Sequence, residues 1–201
     1  MAKIIELERY GQILKLEVRP GYYPYNRALL VGLYEDWESY GALTCNLDKS
    51  LERNCAYIDV NNMGEDLVEV LEKSGFGKRT GRKCRSGFVL YPEFRFNEEA
   101  LRECTNDNYE QYLAWQDELK EDEEYIGANC RKCYKEFHFI VKKSEAQMYR
   151  EYQEGARHLI QDVFPNMTPD ERGLFAQGQN VCGKCFKKCF HHAPMNKLGN
   201  K

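Results

Sequence analysis

Long apolar runs are missing from this chain of 201 residues. The longest, such as Ala28 to Leu33, fall far short of the ~20 residues that a membrane span needs, so no membrane partner is expected. The first ten residues include Glu6 and Glu8 and no apolar stretch of the secretory kind, so no signal peptide and a cytoplasmic location are expected. Also missing are a phosphate-cradling glycine loop, a nucleophile elbow and a paired His–Cys signature with a third member. Without such a constellation no enzyme activity and no small-molecule substrate are expected. A strong basic excess is absent too: the formal net charge is −3, whereas a dedicated nucleic-acid binder carries marked positive charge. What remains is a chain with 42% apolar and 30% charged residues, enough for a packed core under a charged surface.

Charge is unevenly laid out. Residues 1–96 are neutral in sum, 97–129 carry net −9 and 130–201 carry net +6. An acidic middle beside a basic end either satisfies itself internally or presents two faces to a partner.

Cysteine is the residue present in excess, with 9 in the chain. The odd count rules out complete internal disulfide pairing. Four of the nine form two Cys-x-x-Cys turns, Cys130-Arg131-Lys132-Cys133 and Cys182-Gly183-Lys184-Cys185. In a cytosolic chain that pattern points to metal. Each turn offers two thiolates on one side, and backbone amides of the turn stabilise their charge. Two such turns complete a tetrahedral four-sulfur shell, so Cys130, Cys133, Cys182 and Cys185 are the expected ligands of one structural Zn²⁺. Redox dithiols and two local disulfides are the alternatives. Cys189, His191 and His192 stand close enough in sequence to replace a ligand. A closed four-thiolate shell leaves no position for a hydrolytic water, so no catalytic zinc is expected.

Taken in order, residues 3–9 and 12–19 flank Gly11, and Leu14, Leu16 and Val18 alternate with polar residues. This predicts a hairpin broken at Pro20-Gly21. Strands are predicted at 27–34, 40–47 and 55–60, then a helix over 65–73 stopped by Gly75, then a last strand over 88–96 with Pro92 at an edge or bulge. A helix capped by Asn106 or Asp107 is predicted to run to about Glu124, with a stripe of Tyr109, Tyr112, Leu113, Gln116 and Leu119. A strand over 137–143 precedes a helix predicted from Ser144 to Phe164. Thr168-Pro169-Asp170-Glu171 signals a helix restart with a capping box. The expected fold class is α+β: a mostly antiparallel sheet with one packed helix (1–96), an acidic linker helix (97–127), a helical zinc-knuckle module (128–192) and a tail (193–201).

Leu43-Thr44-Cys45-Asn46-Leu47, Ala56 to Asn62, Thr80-Gly81-Arg82, Ser86-Gly87-Phe88 and Tyr91-Pro92 carry a resemblance. Over residues 10–96 the chain resembles a small bacterial domain family of unknown function, common on conjugative elements and phages of gut bacteria. The runs Ile160 to Pro165, Asp170-Glu171-Arg172 and Cys182 to Phe186 resemble short zinc-binding modules of uncharacterised mobile-element proteins. Those modules place the second knuckle directly after a glycine, whereas Gln179-Asn180-Val181 intervene here.

Two charged stretches are candidate partner surfaces. Lys78, Arg79, Arg82, Lys83 and Arg85 crowd a segment expected as a loop, and Glu121, Asp122, Glu123 and Glu124 crowd the end of the predicted acidic helix. The first suits phosphate or an acidic protein face, with Tyr22, Tyr23 and Tyr25 as stacking surfaces if that loop lies near. The second suits mimicry of a nucleic-acid backbone. The expectation is an interaction protein with a protein or ribonucleoprotein partner. The mobile-element setting implied by the resemblance points to an inhibitor of a host defence system, such as a CRISPR effector. The other expectation is a nucleic-acid-binding accessory protein using the basic loops and the knuckle cations Arg131, Lys132, Lys184, Lys187 and Lys188.

Overall fold

A computed structural model describes residues 3–47, 49, 51–104 and 107–190, the side chains of residues 107 and 190 aside. His191, His192, the tail and the Asn106 cap lie outside that range. The fold is α+β with antiparallel sheets. The chain forms two compact units, Met1–Lys120 and Glu121–Lys201. Among the described residues no helix is long and apolar enough to cross a membrane.

The first unit begins with the expected hairpin of β1 (Ile4–Arg9) and β2 (Gln12–Tyr22), turned at Tyr10-Gly11 with φ of 54° and 75°. Leu16 and Val18 are fully buried. Pro20-Gly21 do not break the strand: β2 runs on to Tyr22, with Pro20 opposite Val31. The reason lies in the hydrogen-bond alternation. Val18 donates to the Lys3 carbonyl on the β1 side, and the Pro20 nitrogen, two residues on, faces the same side beyond the end of β1, where no donor is required. Strands β3 (Leu29–Glu35) and β4 (Glu38–Ala42) complete this sheet in the order β1-β2-β3-β4.

A second sheet has the order β5-β6-β8-β7, from β5 (Thr44–Cys45), β6 (Cys55–Ile58), β7 (Gly77–Ser86) and β8 (Val89–Phe96). Helices α1 (Val60–Met63) and α2 (Leu67–Lys73) lie between β6 and β7. Helix α2 buries Leu67, Val68 and Leu71, and Gly75 with φ 74° ends it as expected. Both sheets and α2 share one core.

Residues 97–127 do not form one linker. Helices α3 (Glu98–Arg102) and α4 (Asp107–Glu118) put Leu101, Tyr109, Tyr112 and Leu113 into the core of the first unit. The Trp115 ring packs edge-on to Tyr22 at 4.5 Å, with the Arg27 guanidinium 4.0 Å from its centroid. Buried Asn54, in left-handed backbone at φ 59°, pins the two helices. Its side chain accepts from the Tyr109 hydroxyl at 2.8 Å and donates to Glu98 at 3.1 Å, and its backbone N–H donates to the Tyr112 hydroxyl at 2.9 Å. The predicted helix therefore stops at Glu118, and the next residues belong to a strand.

The second unit opens with that strand, β9 (Glu123–Asn129), antiparallel to β10 (Glu136–Lys142) with Asn129 opposite Glu136. The first Cys-x-x-Cys turn closes this hairpin. Helix α5 (Lys143–Gln153) follows, shorter than predicted. Gly155 at φ 100° ends it, and the Ala156 N–H turns back to the Glu151 carbonyl at 2.9 Å. Ala156 and Leu159, apolar residues within the predicted helix, are exposed. The helix resumes only as α6 (Ile160–Val163). Helix α7 (Pro169–Phe175) starts from the expected capping box: Glu171 N–H donates to Thr168 Oγ1 at 3.3 Å and Thr168 N–H to the Glu171 carboxylate at 2.7 Å. Phe139, Tyr149, Phe164 and Phe175 form its aromatic core, with centroids 5.0–5.4 Å apart in contacting pairs. Helix α8 (Gly183–Phe190) closes the unit.

The Asn54 junction makes one expectation testable. Tyr112→Phe leaves the buried Asn54 N–H without its acceptor, and should lower the stability of the first unit by about 1–3 kcal/mol in urea unfolding. An unchanged midpoint would show that the hydroxyl is dispensable.

Candidate metal centre and charged surfaces

The two cysteine turns meet. The Sγ atoms of Cys130, Cys133, Cys182 and Cys185 all lie within 4.8 Å of one another. Cys130 and Cys182 are buried members of the second unit's core, Cys185 is half-buried and Cys133 is exposed. None forms a disulfide. The Cys133 and Cys182 sulfurs are 3.9 Å apart, against the ~2.05 Å of a disulfide. A tetrahedral ion with bonds of about 2.3 Å sets its sulfurs about 3.8 Å apart, so the four residues fit such an ion.

Backbone geometry holds the turns in place. Tyr134 N–H donates to the Cys130 carbonyl at 2.9 Å and Cys130 N–H to the Lys135 carbonyl at 3.0 Å, which ties the first knuckle. Arg131 N–H donates to the Asn180 carbonyl at 2.9 Å, and Cys182 N–H to Cys130 Sγ at 3.4 Å. The inserted Gln179-Asn180-Val181 thus supply the link between the knuckles, with Asn180 in left-handed backbone at φ 45°. Cys182 precedes the first turn of α8, whose free amides favour negative charge. Burial opposes ionisation of Cys130, but the amides of Cys182, Cys133 and Lys132 together with the Cys133 thiol outweigh it and bring its pKa down to about 6. Burial, then hydrogen bonding with the other three thiols, pushes Cys185 up to about 12. A metal entering this cluster must displace the protons still held there. Gly183 is required by space: a Cβ there would collide with the Asp170 side chain of α7. Neither Asn180 nor Gly183 stood out in the sequence, where the only signals were an insertion before the knuckle and a glycine inside it.

Cys189, the nearest described alternative ligand, is exposed on α8 and absent from the four-sulfur cluster. The remaining cysteines, Cys45, Cys55, Cys84 and Cys104, are free and at least half-buried.

The basic stretch expected as a loop is strand β7, at the edge of the second sheet. A bulge between Arg79 and Lys83 interrupts its pairing with β8 and places Pro92 beside the irregularity. Two of the five cations are already engaged. Arg79 is paired with Glu72 at 2.8 Å, and Arg82 holds buried Glu93 through Nε contacts of 2.9 and 3.0 Å and also reaches Glu52. Lys78, Lys83 and Arg85 are exposed and make no ion pair with a described residue. Of the three tyrosines, Tyr22 packs on Trp115 and the Tyr23 hydroxyl donates to the Thr44 carbonyl at 2.6 Å. Only Tyr25 is exposed, at 39%.

The acidic stretch is also used internally. Buried Glu124 pairs with Arg150 of α5, and the Glu121 carbonyl accepts from the Lys143 ammonium at 2.6 Å. The Asp122 carbonyl accepts from Lys143 N–H at 2.7 Å, and Glu123 stands opposite Lys142 across the β9–β10 ladder.

A protein-family profile described as "Domain of unknown function (DUF4313)" matches residues 5–116. The match covers more than half the chain, so the chain belongs to that family. No curated protein and no solved structure matches it. The family match ends within α4 and leaves the metal centre outside.

Two outcomes follow from these contacts. Gly183→Ala should force Asp170 aside, disturb its 2.7 Å contact with Lys187 and destabilise the second unit by about 1–3 kcal/mol in thermal unfolding. An unchanged melting temperature would contradict this packing. In the first unit, hydrogen bonds from arginine hold several carboxyls below their usual range: Glu52 through Arg95 and Arg82, Asp66 through Arg9, Glu72 through Arg79 and Glu98 through Arg102. Their stabilisation is complete above about pH 4.3, the usual carboxylate range, and is lost as pH falls through the lower folded values. Urea midpoints of the first unit should therefore fall on acidification below about pH 4, and pH-independent midpoints would refute these pairings.

Proposed function

We propose that the chain is a non-enzymatic interaction protein whose second unit is closed by one structural Zn²⁺ on Cys130, Cys133, Cys182 and Cys185. The observation that carries this reading is the convergence of four unoxidised sulfurs within 4.8 Å. Four thiolates suit zinc, which is soft enough for sulfur and has no redox chemistry. A shell of four protein ligands leaves no position for water, so the ion serves folding and not hydrolysis. Its partner is a macromolecule in the cytoplasm. The resemblance to proteins of mobile elements and phages favours a host defence protein or ribonucleoprotein, such as a CRISPR effector, which binding alone would inhibit. Direct contact with nucleic acid is the second reading. It is favoured by the exposed knuckle cations Arg131, Lys132, Lys184 and Lys188, none of which is paired with a described residue.

Structural zinc binding contributes about 10–16 kcal/mol in small knuckle peptides, more than most domains have in total stability, about 5–15 kcal/mol. The purified protein should therefore carry about one zinc per chain by elemental analysis. Chelation or Cys130→Ser should unfold the second unit and spare the first. Iron in place of zinc, or a metal-free chain that stays fully folded, would contradict this. Affinity capture from a host with an intact defence system should recover a specific ribonucleoprotein or protein at moderate salt, and recovery of none would count against the inhibitor reading.

A further inference from the structure

We propose that the face formed by the two knuckles binds single-stranded nucleic acid, with phosphates on Arg131, Lys132, Lys184 and Lys188 and a base stacked on Tyr134. The proposal rests on the zinc-closed second unit and on the nucleic-acid reading of its knuckle cations, and adds the single-stranded form of the ligand and the stacking ring. Arg131 and Lys132 lie between the first pair of cysteines and Lys184 between the second. Because the four sulfurs lie within 4.8 Å and Arg131 N–H reaches the Asn180 carbonyl, cations 52 positions apart in the chain, Lys132 and Lys184, stand around one centre. Lys188 lies one helical turn beyond Lys184 on the same face of α8.

Lys187, on α8, is taken by Asp170, whereas Arg131, Lys132, Lys184 and Lys188 are exposed and without an ion pair to a described residue. Neutralising the metal centre does not account for them. Four thiolates and one divalent ion sum to two negative charges, and four uncommitted cations exceed that.

Tyr134 supplies what a purely electrostatic patch lacks. It directly follows Cys133, is 82% exposed and is held at φ 56° by the knuckle turn. A non-glycine residue in left-handed backbone is strained, and strain of this kind collects at functional positions. An exposed ring in the same turn as free cations is the pattern of single-strand binding, in which bases stack and phosphates meet lysine and arginine. A duplex reader would need an element that fills the major groove. The face offers two short turns and the start of an eight-residue helix.

The test is fluorescence anisotropy of a labelled oligo(dT) with the full chain, zinc content and melting temperature being measured on the same samples. Wild type should bind, with affinity falling steeply as salt rises. Lys132→Glu/Lys184→Glu should weaken binding by roughly tenfold or more and flatten the salt dependence. Tyr134→Ala should weaken it about fivefold or more with the salt dependence unchanged. Arg157→Glu, at an exposed cation outside the two knuckle turns, should bind as wild type. All variants should keep their zinc. A zinc-loaded, folded wild type that ignores oligo(dT), prefers duplex, or loses as much binding on Arg157→Glu would overturn this proposal and leave the zinc reading standing. Metal-free wild type would overturn both.

Discussion

Closure of the second unit by two cysteine turns that lie 48 residues apart is the constraint on which the rest of that unit depends. A core built on Tyr149, Phe164, Phe175 and the inner face of a two-stranded hairpin is small. Cores of this size rarely supply more than about 3–5 kcal/mol, and a lone two-stranded hairpin is marginal in water. The four-sulfur centre belongs to that core, with Cys130 and Cys182 counted among its buried members. It joins the β9–β10 hairpin to α8 directly, and it fixes where α5, α6 and α7 have to fit between them. Asn180 and Gly183 are shaped by the same closure, one bridging the knuckles through its carbonyl and the other leaving room for Asp170.

Charge segregated along the sequence is paired in part in space. Within the first unit, Glu98 meets Arg53 and Arg102, Glu103 meets Lys3, Glu110 meets Arg102 and Asp117 meets Arg53. Glu124, at the end of the acidic stretch, goes to Arg150 in the second unit's interior. The basic edge strand gives Arg79 and Arg82 to Glu72 and Glu93. Exposed pairs of this sort contribute about 0–1 kcal/mol each, so their main effect is to reduce the free charge available to a partner. The knuckle cations escape this pairing, as do Lys78, Lys83 and Arg85 among the described residues; the proposed ligand surface is placed on the knuckles because exposed Tyr134 is part of the same turn.

Much of the fold was legible in the sequence where one local rule dominated. The period-2 pattern around Leu14, Leu16 and Val18, the Thr168–Glu171 capping box, the Gly75 stop and the cysteine spacing each lead to the element found. The misses share a cause, which is tertiary context overriding a local cue. Pro20 stays in a strand because its nitrogen faces beyond the end of β1. Residues 78–85 form a strand although five of the eight are basic, because an edge strand keeps long cations in water. Glu123 and Glu124 follow the helical pattern of the sequence, and only the partner strand 136–142 and the half-buried Arg150 make them part of a sheet. Gly155 lies inside the predicted 144–164 helix, where it stops α5 ten residues before Pro165. Of the metal centre, the four sulfurs were legible from spacing. The Asn180 bridge and the loss of Glu124 to an internal pair depend on tertiary contacts.

X-ray absorption at the zinc edge of the purified chain tests the central claim most directly. Four sulfurs at about 2.3 Å and no nitrogen or oxygen scatterer is the predicted shell. A mixed shell with nitrogen or oxygen, or no zinc in a folded protein, would contradict it.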